Sequence, residues 1–137
     1  MDLSNPVIQL CIEGTQAEFR GQIDKARSLY QQAWEAAQDD FDACVAAHYM
    51  ARHRDDPQER FYWNQEALER ANAAADARVR EFYPSLYLNM GQSCELLGNQ
   101  DEAQRYYDLA AELGVVHQVD QINAGGAISC NDLVSGA

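Results

Sequence analysis

Three histidines, four cysteines and several adjacent acidic pairs are the residues of this chain best suited to chemistry. His48 and His53 fall within helical sequence, five positions apart. On one α-helix that spacing puts them on different faces, so they are not expected to chelate one metal ion. A surface or groove histidine is the simpler role for each. Cys11, Cys44, Cys94 and Cys130 are widely scattered, with no C-x-x-C. The first three fall at apolar positions of expected helices, which fits buried thiols in a reducing compartment better than a metal or redox site. Asp39-Asp40 and Asp55-Asp56 sit at helix junctions, where a carboxylate caps orphan amides and meets the positive end of the helix dipole. No H-E-x-x-H, G-x-S-x-G, Walker loop or G-x-G-x-x-G occurs, so no nucleophile, zincin or nucleotide site is indicated. The expectation is a protein that is not an enzyme and has no catalytic residues, cofactor or metal.

The elements that position these residues are helices. Asn5-Pro6 opens the first, with Asn5 as cap and Pro6 where a missing N–H costs nothing. It is expected to run to about residue 20, with Leu10, Ala17 and Phe19 toward its neighbours, and to break at Gly21. The second, about residues 23–38, carries Ala26, Leu29, Tyr30, Ala33 and Ala37 on one stripe. A third, about residues 40–54, carries Cys44, Ala47 and Ala51. Asp56-Pro57 breaks it and caps the next, about residues 57–74, with Phe61, Trp63, Ala67, Leu68 and Ala71 inside. A fifth is expected from about residue 76 with Pro84 inside it as a kink. It breaks at Gly98-Asn99, and a last helix ends near Leu113. Residues 114–137 are nearly uncharged, contain Gly125-Gly126 and Ser135-Gly136, and read as a flexible tail.

Part of the chain repeats. Gly14 and Gly91 are 77 residues apart, and the same shift carries Glu18 to Glu95, Gly21 to Gly98, Asp24 to Asp101, Ala26 to Ala103, Tyr30 to Tyr107 and Ala33 to Ala110. Small residues let two helices approach, and the second glycine permits the turn between them. A middle copy is weaker. His48 stands for the first glycine, Asp55 for the turn glycine, Arg60 for the alanine and Asn64 for the aromatic, while Ala51 and Ala67 are kept.

The order Tyr87, Met90-Gly91, Cys94, Gly98, Ala103, Tyr107, Ala110 resembles a tetratricopeptide repeat, a helix–turn–helix unit of about 34 residues. Tyr87 replaces its usual Trp, Met90 its Leu, Cys94 its Tyr and Val115 its Pro. The resemblance implies an all-α domain over residues 1–113. It would hold three antiparallel helix pairs stacked as a short right-handed superhelix, with 114–137 as the tail. It also implies a concave groove lined by the first helix of each pair. The groove positions are Cys11 and Thr15, then Val45, Tyr49 and Arg52, then Ser85, Leu88, Asn89, Gln92 and Glu95. Tyr49, Arg52, Asn89 and Gln92 suit a grip on peptide backbone or a carboxylate. The lysine and asparagine pattern of the chaperone-tail clamp is missing, with Cys11, Thr15, Ala46 and Ser85 at four of its five positions.

Charge narrows the partners. The formal net charge is −12, and Lys25 is the one lysine. Such a surface repels polyanions, so neither nucleic acid nor an anionic membrane is expected. Arg52, His53 and Arg54 form a basic cluster that Asp55-Asp56 blunts. The start of the chain lacks a basic stretch followed by an apolar run, and no apolar run is long enough to span a bilayer, so a cytoplasmic location is expected. The expected function is a non-catalytic adaptor that binds a protein or peptide in the groove. No polar helix caps the last repeat, whose apolar face would be covered by the tail, a partner, or a second copy in a homo-oligomer. A second reading starts from Gly125-Gly126. The sequence around it resembles the leader–core junction of ribosomally made, modified peptides. The core would follow Gly126 and carry Ser129, Cys130 and Ser135 as modifiable residues.

Overall fold

The computed structural model describes residues 2–114. They form seven helices: α1 (Pro6–Phe19), α2 (Ile23–Ala36), α3 (Asp40–Met50), α4 (Pro57–Ala74), α5 (Ala77–Arg80), α6 (Tyr83–Leu96) and α7 (Gln100–Glu112), with no strand among the described residues. The expected tail and the Gly125-Gly126 junction lie outside the described residues.

Local chemistry sets most boundaries. The side chains of Asn5, Asp39, Asp56, Asp76 and Asn99 each accept a backbone N–H from the first turn of the helix that follows. Asp39 and Asp56 are thus committed to capping. α1 and α6 end alike. Gly21 (φ +74°) and Gly98 (φ +80°) take the left-handed conformation. The next amides, of Gln22 and Asn99, bond back to the carbonyls of Ala17 and Cys94 at 2.9 Å each. This closes the helix end with a glycine that needs no Cβ clearance.

The middle turn differs. α3 stops at Met50 rather than near residue 54, and the left-handed residue is His53 (φ 59°). Pro57 disfavours helical geometry at Asp56, which is extended (ψ 118°), and no glycine is present at position 55. The chain therefore turns earlier. The single kinked helix expected around Pro84 is instead two. α5 is one turn, and Pro84 lies in the first turn of α6, where its missing N–H has no helical bond to lose.

α1 packs on α2, α3 on α4, and α6 on α7, while α2–α3 and α4–α6 contacts join successive pairs. α3 is the centre: every residue from Phe41 to Met50 is buried. Aromatic contacts surround it, with Tyr30 on Tyr49 (ring centroids 5.1 Å apart) and Phe41 on Phe82 (6.0 Å). Phe19 was expected to face a neighbour but is 79% exposed. The buried stripe of α1 includes Val7, Cys11, Gly14 and Ala17, and Phe19, two positions on, points away from it.

Two glycines are required for contact rather than for turning. A Cβ built on Gly14 would lie 2.3 Å from the Tyr30 ring, and one on Gly91 would lie 2.5 Å from the Tyr107 ring. Gly14→Ala should therefore destabilise the fold by about 1–3 kcal/mol in urea unfolding. Tyr30 has 1% of its surface exposed and no room to retreat. Tyr107 is only half-buried, so Gly91→Ala should cost less. Equal, near-zero costs at both positions would contradict this packing.

Candidate functional site

The corresponding positions of the three pairs show where the chain departs from its own pattern. In the first pair, Glu18 accepts the Tyr30 hydroxyl. It also pairs with Arg52 Nη2 at 2.7 Å and His53 Nε2 at 2.9 Å from the following pair. Burial, then the bond to Glu18, raises the Tyr30 pKa above the usual phenol value. In the last pair, Tyr107 is likewise shifted upward, by burial first and then by the neighbouring Glu95. Glu95, unlike Glu18, is exposed.

The middle pair inverts these chemistries. His48 stands for the glycine, Arg52 for the glutamate, Arg60 for the alanine and Asn64 for the tyrosine. Asn64 is too short to fill the space of a phenol ring. A cavity of about 240 Å³ opens beside it between α3, α4 and α6.

Each wall contributes polar groups. From α6, Ser93 Oγ accepts the Asn64 Nδ2 amide at 2.8 Å, and both residues are buried. Asn89 Nδ2 lies 3.4 Å from His48 Nδ1. With the amide donating, Nδ1 is the acceptor and the ring hydrogen sits on Nε2. His48 is 2% exposed, and its Nε2 has no hydrogen-bond partner. Burial, and secondarily the Arg52 charge, pushes the His48 pKa down to about 3, so the ring is neutral near pH 7. From α4, Arg60 Nη2 donates to the Arg54 carbonyl at 2.6 Å. Arg54 itself turns away, its guanidinium 5.8 Å from the Trp63 ring centre. In a chain with 22 acidic residues, none lines this cavity.

Of the residues singled out in the sequence, Arg52, Asn89 and Gln92 line the cavity together. The others do not. Thr15 is half-buried in the first pair and donates its hydroxyl to the Cys11 carbonyl at 3.0 Å. Tyr49 is a correction: it is 0% exposed and belongs to the core, because α3 has neighbours on all sides and leaves no open face. Ser85 is buried as well, and Glu95 lies outside the cavity. His48 and His53, expected on different faces, line the same cavity, since α3 ends before His53 and the turn brings it round. Ser93 gave no signal. His48, Arg60 and Asn64 did signal, as departures from the repeat.

Among the described residues no group of three His, Cys, Asp or Glu side chains could hold a metal ion. Cys11, Cys44 and Cys94 are buried free thiols. Burial pushes the Cys44 pKa up to about 12, so it stays protonated near neutrality. Also among the described residues, no helix is long and apolar enough to cross a membrane. Compared with protein-family models, curated proteins and solved structures, the chain shows no match.

The burial of His48 sets a pH dependence. Its pKa falls from 6.5 to about 3 on folding, so below pH 6.5 the unfolded chain takes up a proton that the folded chain refuses. The stability is therefore complete above about pH 6.5 and is lost as pH falls toward 3. Relative to His48→Gln, the wild-type chain should lose about 2 kcal/mol between pH 7 and pH 5. Urea unfolding across that range measures this, and parallel curves for the two proteins would refute it.

Proposed function

We propose that the chain is a non-catalytic binding module of the tetratricopeptide type. In this reading its three helix pairs form a short right-handed superhelix, and its concave side receives a protein or peptide partner. The observation that carries the proposal is the cavity between α3, α4 and α6. It gathers Arg52, Asn89 and Gln92, three of the positions that the resemblance assigns to the groove. The repeated contact of Gly14 with Tyr30 and of Gly91 with Tyr107 supports the repeat reading. So does the shared turn geometry at Gly21 and Gly98.

Size argues for an anchor point rather than a whole-ligand site. Pockets for drug-sized molecules span roughly 300–1,000 Å³, and this one holds about 240 Å³. It fits one side chain or chain end of a larger partner whose remainder lies along the surface. Amides and guanidinium groups fix the orientation of such an anchor, and apolar contact around it supplies most of the affinity. A cytoplasmic setting belongs to the same reading and is supported by the buried free thiols.

Panning a displayed peptide library against the full chain tests the proposal. Asn89 is half-buried and Gln92 exposed, so Asn89→Ala with Gln92→Ala should leave the fold intact. That double variant should bind the selected peptides about tenfold or more weakly by fluorescence anisotropy, the loss expected for two hydrogen bonds. A library that yields no binders, or binders indifferent to both substitutions, would overturn the reading.

A further inference from the structure

The first interface of the chain shows what guanidinium groups in this position bind. Arg52 meets Glu18, which is 10% exposed and shared with His53 and Tyr30. At the next interface the same position of the last pair is Glu95, but Glu95 is exposed and absent from the cavity wall. Leu96 takes its place on the wall. The second interface thus has basic and amide groups with no internal acid to meet them.

The donors that remain are specific. His48 Nε2 is buried without a partner, and with Asn89 donating to Nδ1 it carries a hydrogen. Arg60 uses Nη2 on the Arg54 carbonyl, and among the described residues no carboxylate pairs with it. The Gln92 side chain adds an amide donor at the rim. Charge narrows the ligand. Arg52 and His53 share Glu18, while Arg60 has no carboxylate partner among the described residues, so the wall favours an anion. That suits a singly charged carboxylate. A doubly charged phosphate would leave surplus negative charge inside a chain whose formal net charge is already −12.

We infer that the cavity between α3, α4 and α6 is a carboxylate-binding site in which Arg60 is the principal donor and the Asn89 and Gln92 amides orient the ligand. The inference rests on the reading of this cavity as a partner's anchor point and names the chemistry that is anchored. The carboxylate belongs either to a small free acid or to a peptide, as an acidic side chain or a chain terminus.

The test uses the full chain labelled with ¹⁵N throughout, titrated at pH 7 with acetate and propionate against chloride at matched ionic strength. Both carboxylates should move the Asn89, Gln92 and Ser93 amides saturably, and chloride should not. Arg60→Gln should weaken this binding by roughly 10–100-fold, the range for a hydrogen bond to a charged group. The double variant His48→Gly/Asn64→Tyr rebuilds the glycine–tyrosine contact of the other two pairs and fills the cavity. It should abolish the Asn89 and Ser93 response. Thermal unfolding establishes that it folds, and if it does not, Arg60→Gln carries the comparison alone.

Selected peptides then assign the source. A tenfold loss on Glu→Gln exchange or on C-terminal amidation places the carboxylate on a peptide. Peptides that bind no tighter than acetate place it on a small acid. A response to carboxylates no different from that to chloride, or one unchanged in Arg60→Gln, overturns the inference. If neutral peptides still bind through Asn89 and Gln92 in that case, the binding-module reading survives while the carboxylate site does not. Saturable acetate binding without any peptide binder gives the reverse.

Discussion

A tyrosine ring lying against bare backbone is the contact on which the fold depends. At Gly14 the Tyr30 ring fills the space a side chain would occupy, and at Gly91 the Tyr107 ring does the same. Each contact sets how closely two consecutive helices approach. It also directs the phenol hydroxyl toward a carboxylate one turn further on, Glu18 in one pair and Glu95 in the other. Packing distance and polar placement thus follow from one pair of residue choices. Close-packed interiors make such choices consequential, since neighbouring side chains have little room to adjust.

The middle pair shows the effect of changing both choices. A large residue at the glycine position and a short one at the tyrosine position preserve the helices but not the filling between them. The volume reappears as a cavity, and most of the side chains around it are polar. Asn64 and Ser93 satisfy each other, while His48 is matched on one nitrogen only. The cost of burying an incompletely matched imidazole falls on stability, and it is retained beside a space that the helices leave open.

Much of this was legible in the sequence because it is local. Asn5-Pro6 and Asp56-Pro57 announce helix starts through capping chemistry confined to a few residues. Gly21 and Gly98 announce ends through backbone freedom. The stripe Ala26, Tyr30, Ala33 marks a face because α2 has one side exposed. α3 offered no such contrast. Buried on every side, it has no polar face to set against an apolar one, so Tyr49 read as accessible when it is core. Pro84 gave a true signal with two geometric solutions, a kink or a fresh start, and only packing chose between them. The cavity was the hardest feature to foresee. It arises from an atom group that is absent, and His48, Arg60 and Asn64 read as a fading repeat when together they border a space.

The turn at His53 has a consequence for cooperativity. A non-glycine residue in the left-handed region is strained by about 1–2 kcal/mol, and His53 is held there from outside its own pair. Arg27 of α2 donates to its carbonyl, and Glu18 of α1 engages its ring. If α1 and α2 opened alone, they would leave a strained turn unsupported, Arg52 without its acid, and the Tyr49 ring facing water. The first two pairs therefore open together rather than in sequence. The amide hydrogens of α3 are then expected to exchange with solvent through loss of that larger unit, not through fraying of the chain end nearest to it.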